Sequence, residues 1–211
     1  MSLPGFEVAG ACAPALAVGG DFYDWYRVSE GAAFTLADVM GKGIGAAIIA
    51  ATVRAVLRAG SWHDDISEAV VAAAVVLEVD LEEAGSFVTL FHARLNIESG
   101  LVRYVDAGHG LSLFIRAAAT TERLTFLGLP LGAGVDLTWQ EQGVTLAPGD
   151  TLVSVSDGVL DLFDGTLASL DDAEKIARDS TSAQAMVDAL IARAGRNAPD
   201  DVIVIVVRRA A

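Results

Sequence analysis

Apolar residues recur along this chain with two different periods, and the change of period maps its elements. From Ile44 to about Ala59, and again from Ile66 to about Glu83, the apolar positions fit a helix. In the second run Val70, Ala74, Leu77 and Leu81 fall at three- and four-residue spacing. Ser61–Asp65 breaks the two apart. After Gly85 the period drops to two: Phe87, Thr89, Phe91, Ala93 and Leu95 share one face, and Val88, Leu90, His92 and Arg94 the other. Asn96–Gly100 predicts a hairpin turn. Leu101–Ala107, Leu111–Arg116, Leu124–Leu127, Leu137–Val144 and Thr151–Ser156 continue as strands, with Pro148-Gly149-Asp150 turning the chain before the last. Upstream, Gly5–Ala11 is a short strand, and Asp21–Tyr26 and Ala32–Ala37 are a strand pair around a turn at Ser29-Glu30-Gly31.

Two further helices are predicted over Ser169–Arg178 and Ser182–Ala194, each opened by a serine N-cap. Val202–Val207, apolar at nearly every position, reads as a central strand. Helices grouped in pairs between runs of antiparallel strands specify an α+β sandwich rather than a parallel doubly wound sheet. No linker, charge block or repeat divides the sequence, so residues 1–211 are expected to form one domain. Leu3-Pro4-Gly5 reads as a start inside a longer, sensor-regulated protein of which this is the C-terminal part.

Composition narrows the function. Of 211 residues, 53% are hydrophobic and 20% charged, which excludes intrinsic disorder. A net charge of −14 argues against nucleic-acid binding and against contact with anionic membrane surfaces. Mean hydropathy is high at +0.49. The most apolar runs, Ile44–Val53 and Ala69–Val79, are interrupted or bracketed by Arg54, Arg58, Ser67, Glu68 and Glu78, short of the roughly 18 unbroken apolar residues of a span. The first residues lack a signal-peptide pattern, and the expected location is the cytoplasm.

Cys12 is the single cysteine, so no internal disulfide and no cysteine-rich zinc site can form. It is expected to be a small core residue. No G-x-S-x-G elbow occurs, and Gly41-Lys42-Gly43 lacks the spacing and the Ser/Thr of a phosphate-binding P-loop. His63, His92 and His109 are not spaced as metal ligands, and His109 is expected to play a structural hydrogen-bonding role.

The aspartates are more informative. Asp21 opens a strand, Asp38 and Asp157 each close one beside glycine, and Asp200 and Asp201 precede the last strand. Carboxylates at rigid strand ends, with loops giving access, suit oxygen-only coordination of magnesium or manganese. For any single aspartate, a turn role is the plainer explanation.

Six motifs in one order then point to a family. They are Val18-Gly-Gly-Asp-Phe-Tyr-Asp24, Ala37-Asp-Val-Met-Gly-Lys-Gly43, Asp106-Ala-Gly-His-Gly110, Gly128-Leu-Pro-Leu-Gly132, Ser156-Asp-Gly-Val159 and Asp200-Asp-Val202. Together they resemble the metal-dependent type 2C serine/threonine protein phosphatases, in the bacterial branch named for stage II sporulation protein E. The resemblance runs from about Gly5 to Arg208. It implies a four-layer α-β-β-α sandwich with two central antiparallel sheets. It implies a site of two divalent ions, manganese or magnesium. Asp38 would bridge them, the main-chain carbonyl of Val39 would hold one, Asp157 and Asp200 (rather than Asp201) would complete the other, and Asp21 would bind directly or through water. Two positions depart from the pattern: Ile203 stands where Thr or Ser is usual, and Asp106 where Asn is usual.

The resemblance implies hydrolysis of phosphoserine or phosphothreonine by a water activated between two metals, with no cysteine needed. The implied partner is a phosphorylated protein, the favoured one a small anti-sigma-factor antagonist, and the domain could act as a homodimer. No arginine clamp for the phosphate is evident; Arg27, Arg54 and Arg58 lie nearest the motifs. Two rival readings stand beside this one. The first is a catalytically weak or inactive binding module on the same fold. The second is a cyclic-nucleotide enzyme using paired aspartates, for which the sequence shows no base pocket.

Overall fold

A computed structural model describes residues 1, 3–15, 18–118, 120–124, 128–134, 138–195 and 199–211. The elements follow in the order β1 (Phe6–Ala13), β2 (Phe22–Val28), β3 (Gly31–Val39), α1 (Ile44–Ala59), α2 (Ile66–Ala84), β4 (Val88–Asn96), β5 (Leu101–Ala107), β6 (Ser112–Ile115), β7 (Thr121–Leu124), β8 (Gln142–Thr145), β9 (Thr151–Val155), α3 (Ser169–Asp179), α4 (Ala183–Ala194) and β10 (Val202–Arg209). Short 3-10 turns occupy Gly60–Trp62 and Asp157–Leu162.

The strands form two five-stranded sheets. Sheet I has the order β1-β10-β9-β6-β7, and sheet II the order β2-β3-β4-β5-β8. Every strand pairing in both is antiparallel. Three separate apolar clusters show how the layers stack. Phe34, Leu36, Phe91, Phe114, Ile203 and Ile205 fill the space between the two sheets. The other face of sheet II packs on α1 and α2 through residues such as Val53, Leu57, Val70 and Leu77. The other face of sheet I packs on α3 and α4 through Val153, Val204, Met186 and Leu190. Three interfaces define four layers, α-β-β-α.

This stacking explains why the inner strands carry little hydrophobic alternation. In β3, Phe34 and Leu36 face sheet I while Ala37 and Val39 face the helices, so both sides are buried. β10 behaves likewise and lies inside its sheet, as its apolar run predicts. Both sides of β4 are also covered, which leaves His92 fully buried beside Thr35, with Oγ1 and Nδ1 2.8 Å apart.

The helix boundaries have local causes. Asp65 caps α2, its side chain accepting from the Ser67 N–H at 2.8 Å. Gly85 ends α2 in the left-handed region at φ 57°, where a β-carbon would be strained. Ser182 caps α4 by accepting from Ala185 N–H. Ser169 does not cap α3. It lies inside the first turn, where its hydroxyl donates to the Leu160 carbonyl at 3.1 Å and meets Asp164 at 2.6 Å, so tertiary hydrogen bonds take the group away from capping.

Other departures concern strand ends. The strand expected over Leu124–Leu127 is the end of β7, with residues 125–127 outside the described set. In the strand expected over Leu137–Val144, residue 137 is likewise outside it. Residues 138–141 are irregular because Trp139 turns inward and donates from Nε1 to the Leu129 carbonyl at 2.8 Å. The segment Ile44–Trp62 has the length and hydropathy of a membrane-spanning helix, 19 residues averaging 1.4. Here it lies against sheet II, tied there by Arg54 and Arg58, which both reach Asp24 of β2.

Candidate active site

The strand registers bring the sequence-predicted aspartates together at one end of the sandwich. In sheet II, Phe22 pairs with Ala37, so the next step along the ladder sets Asp21 opposite Asp38. Asp38 also continues the face of Phe34 and Leu36, the face turned toward sheet I. In sheet I, β9 and β10 run antiparallel, so the end of β9 meets the start of β10 and Asp157 adjoins Asp200 and Asp201. All five carboxylates line one cleft of about 210 Å³, with Gly19, Gly20 and Lys42 among the other wall residues.

The supporting contacts are specific. Ser156 ties β9 to β10 at this end: its hydroxyl donates to the Asp201 carbonyl at 2.8 Å and accepts from Ile203 N–H at 2.8 Å. Asp201 Oδ1 accepts from Ala15 N–H at 2.7 Å, and Asp200 Oδ1 accepts from Asp201 N–H at 2.9 Å. A β-carbon at residue 19 would stand 1.9 Å from Asp201 Oδ2, and one at residue 158 would stand 2.4 Å from the Asp201 carbonyl oxygen. At residue 158 the obstacle is backbone, so glycine is a space requirement there; at residue 19 a β-carbon would displace the Asp201 carboxylate. Gly20 plays the same part over Val39, whose carbonyl oxygen would lie 2.7 Å from a β-carbon there.

Electrostatically the cleft is a concentration of negative charge. Asp21 is half-buried and its carboxyl is pushed up to about 9, first by desolvation, then by its hydrogen bond with Asp38 and the charges of Asp38, Asp201 and Asp157. Its Oδ2 is buried without a hydrogen-bond partner. Asp157 is also raised, by desolvation and then by Asp38 and Asp200. An unpartnered buried oxygen among mutually repelling carboxylates fits hard divalent cations, which take oxygen donors. Among the described residues no three acidic, histidine or cysteine side chains are set to close on a single ion, so the carboxylates ring the cleft without forming a finished cage.

Lys42 is a site residue that the sequence reading passed over. Its Nζ lies 3.2 Å from Asp200 Oδ2, and its ammonium is raised by that hydrogen bond and charge. Gly41 and Gly43, at φ 114° and 84°, bend the chain so that this lysine turns over the cleft before α1 begins. The glycine-lysine-glycine run was the available signal, and a P-loop template was the wrong test for it.

Other candidates resolve differently. Arg54 and Arg58 do not line the cleft. They bind buried Asp24 on the helix side of β2, Arg58 through two contacts of 2.5 and 2.6 Å. His109 is buried, its imidazole lowered to about 3 by desolvation, with Nε2 3.1 Å from the Ser154 hydroxyl, in keeping with a structural role. Asp106 accepts from the His109 and Gly110 N–H groups, both at 2.8 Å, so a carboxylate organises this turn. Ile203 points into the apolar layer between the sheets, which accounts for an aliphatic residue there. Cys12 is exposed on β1 rather than in the core, because β1 is an edge strand. Partial desolvation, then Asp201 and Asp21, push its thiol up to about 11.

Comparisons with known proteins bear on the fold and the family. Phosphoserine phosphatase RsbU of Bacillus subtilis is 28% identical over 217 residues, covering 96% of this chain and 63% of that protein, so the chain spans less than two thirds of its relative. The phosphatase domain of SpoIIE from Bacillus subtilis superposes with a TM-score of 0.80 at 18% identity, over 96% of this chain and 63% of that one. The catalytic domain of serine/threonine phosphatase PstP, solved with two manganese ions, superposes with a TM-score of 0.73 at 19% identity, over 98% and 99% of the two chains. These structures share the fold. A sequence model of stage II sporulation protein E matches residues 29–210, and the chain belongs to the SpoIIE family.

Proposed function

We propose that residues 1–211 form one catalytic domain, a metal-dependent protein serine/threonine phosphatase. The observation that carries this reading is the convergence of five strand-end aspartates on one cleft, with an orphaned Asp21 oxygen, in a chain of this family.

Asp38, Asp157 and Asp200, the Val39 carbonyl and Asp21 are the groups that would hold two divalent ions, manganese or magnesium. Bound ions would supply a water acidic enough to ionise near neutral pH and positive charge for the phosphoryl oxygens. The protein's own part is positional. Asp21 keeps a proton at neutral pH while the cleft is empty of cations, which lowers the repulsion among the carboxylates. Gly19, Gly20 and Gly158 keep the approach free of β-carbons. Lys42 stands at the cleft wall, where its ammonium can leave Asp200 and meet a phosphate oxygen. No side-chain nucleophile is used, so a high thiol pKa at Cys12 is of no consequence.

The substrate in this reading is a phosphoserine or phosphothreonine protein in the cytoplasm, the favoured class being a small anti-sigma-factor antagonist. Support comes from the motif resemblance and from the relative named as a phosphoserine phosphatase. A binding module without turnover is the second reading, and the Lys42–Asp200 ion pair within an unclosed carboxylate ring favours it. Hydrolysis of p-nitrophenyl phosphate separates the two. Turnover that requires manganese or magnesium and stops with EDTA is expected. Absence of turnover with either ion selects the binding module, and full activity in excess EDTA refutes the metal mechanism.

A further inference from the structure

At the end of sheet II away from the aspartates, a second pocket of about 120 Å³ opens beside the β2–β3 turn and the 3-10 turn at Gly60–Trp62. Arg94 of β4 lines it and is only 7% exposed. Its Nη1 donates to the His63 carbonyl and its Nη2 to the Gly60 carbonyl at 3.2 Å, while its buried Nε–H has no partner. Among the described residues it makes no ion pair within 4.0 Å. A buried guanidinium whose hydrogen bonds go to neutral carbonyls, with no carboxylate in contact, is an incompletely paired cation.

A second cation faces the same space. Arg103 lines the pocket, held by the Asp64 carbonyl at 2.8 Å and by Glu141 Oε2 at 3.2 Å. Desolvation is the main cause that lowers the Arg94 guanidinium, the charge of Arg103 adds to it, and the more distant Glu141 and Asp64 offset only part of it. Trp62 supplies a flat wall. It is 75% exposed and stacks on His63 with ring centroids 3.8 Å apart. The acids on the rim, Glu30 and Asp64, are exposed and solvated, and Glu30 already accepts from Asn96.

We propose that this pocket binds a small oxyanion, a phosphate or carboxylate group, anchored by Arg94 and Arg103 and covered by Trp62. Guanidinium groups hold such anions through paired N–H donors. The pocket lies at the opposite end of the sheet from the aspartate cleft, so its ligand is distinct from the phosphoryl group to be hydrolysed.

The test is a titration of the intact chain, stripped of divalent ions on a chelating resin and kept in an oxyanion-free buffer at constant ionic strength, with inorganic phosphate and separately with acetate. Tryptophan fluorescence and calorimetry are read in parallel. A saturable change below about 10 mM with either anion is expected, and the tighter one identifies the group. Trp62→Phe should remove the fluorescence change while calorimetric binding remains. Arg103→Ala should weaken binding at least about fivefold, and Glu141→Gln, which releases Arg103, should tighten it. Arg103 is partly exposed, so its variant is checked for an unchanged melting temperature. No saturable signal with either anion, or equal affinity in Arg103→Ala, overturns the proposal. Removal of divalent ions keeps them from recruiting anions to the aspartate cleft, so the result is independent of the catalytic reading.

Discussion

Replacing Asp21 by asparagine should make the cation-free protein more stable at neutral pH and remove the Asp21 contribution to its pH dependence between pH 5 and 7, a contribution opposite in sign to that of buried His92 and His109. Asp21 stands opposite Asp38 in register, with Asp201 and Asp157 also close. Two like charges about 5 Å apart at an effective dielectric of about 20 repel by about 3 kcal/mol. Desolvation first, and then this repulsion, keep a proton on Asp21 in the folded protein, its carboxyl raised to about 9 against an ordinary 3.8. Between those values the native state holds one proton more than the unfolded chain. Unfolding free energy therefore falls as pH rises, by about 1.4 kcal/mol per unit. Between pH 5 and pH 7, wild type should lose about 2.7 kcal/mol relative to Asp21→Asn. Repulsion alone does not account for the whole shift; desolvation of Asp21 is its largest cause. Urea unfolding in EDTA at pH 5, 6 and 7 measures it for both proteins. Parallel stability curves would refute the retained proton on Asp21 and, with it, its burial among the other carboxylates.

Other consequences are independent of the first. Arg58→Ala should destabilise the fold by about 1–2 kcal/mol, because it strips two short contacts from buried Asp24 while Arg54 still faces that carboxylate, whereas Arg54→Ala, with one contact at 3.3 Å, should cost less than half of that. Unfolding midpoints of the two variants decide it. Lys42→Ala should lower kcat/KM on a phosphopeptide about tenfold while leaving the melting temperature in EDTA unchanged, since its Nζ contact is at the surface; an unchanged kcat/KM places it outside substrate binding. Cys12→Ser should keep activity within about twofold, and the wild-type thiol, pushed up to about 11, should react slowly with iodoacetamide at pH 7 despite its exposure. Rapid alkylation with loss of turnover argues against this account.

Much of the architecture can be read from the sequence because the signals are local. The spacing of Val70, Ala74, Leu77 and Leu81 defines α2, and the two-residue period from Val88 defines β4, since backbone geometry dictates both periods. Strand-end aspartates beside glycine are visible for the same reason, and their motif order points to the family before any coordinate does. What required the tertiary structure is whatever depends on partners distant along the chain. Ser169 has the chemistry of a cap but bonds to Leu160 and Asp164 instead. Cys12 has the composition of a core residue, yet β1 is an edge strand. Arg54 and Arg58 stand near the motifs in sequence but across the sheet from the cleft, bound to Asp24, while Lys42 turns into it through two glycines at positive φ. Even the aspartate cluster is legible only as a set of separate strand ends. It becomes one site because antiparallel registers in two sheets place 21 opposite 38 and 157 beside 200, and sheet packing brings those two ends face to face. Hydrophobic periodicity fixes which face a residue occupies, whereas charge repulsion and cation affinity arise only when distant faces meet.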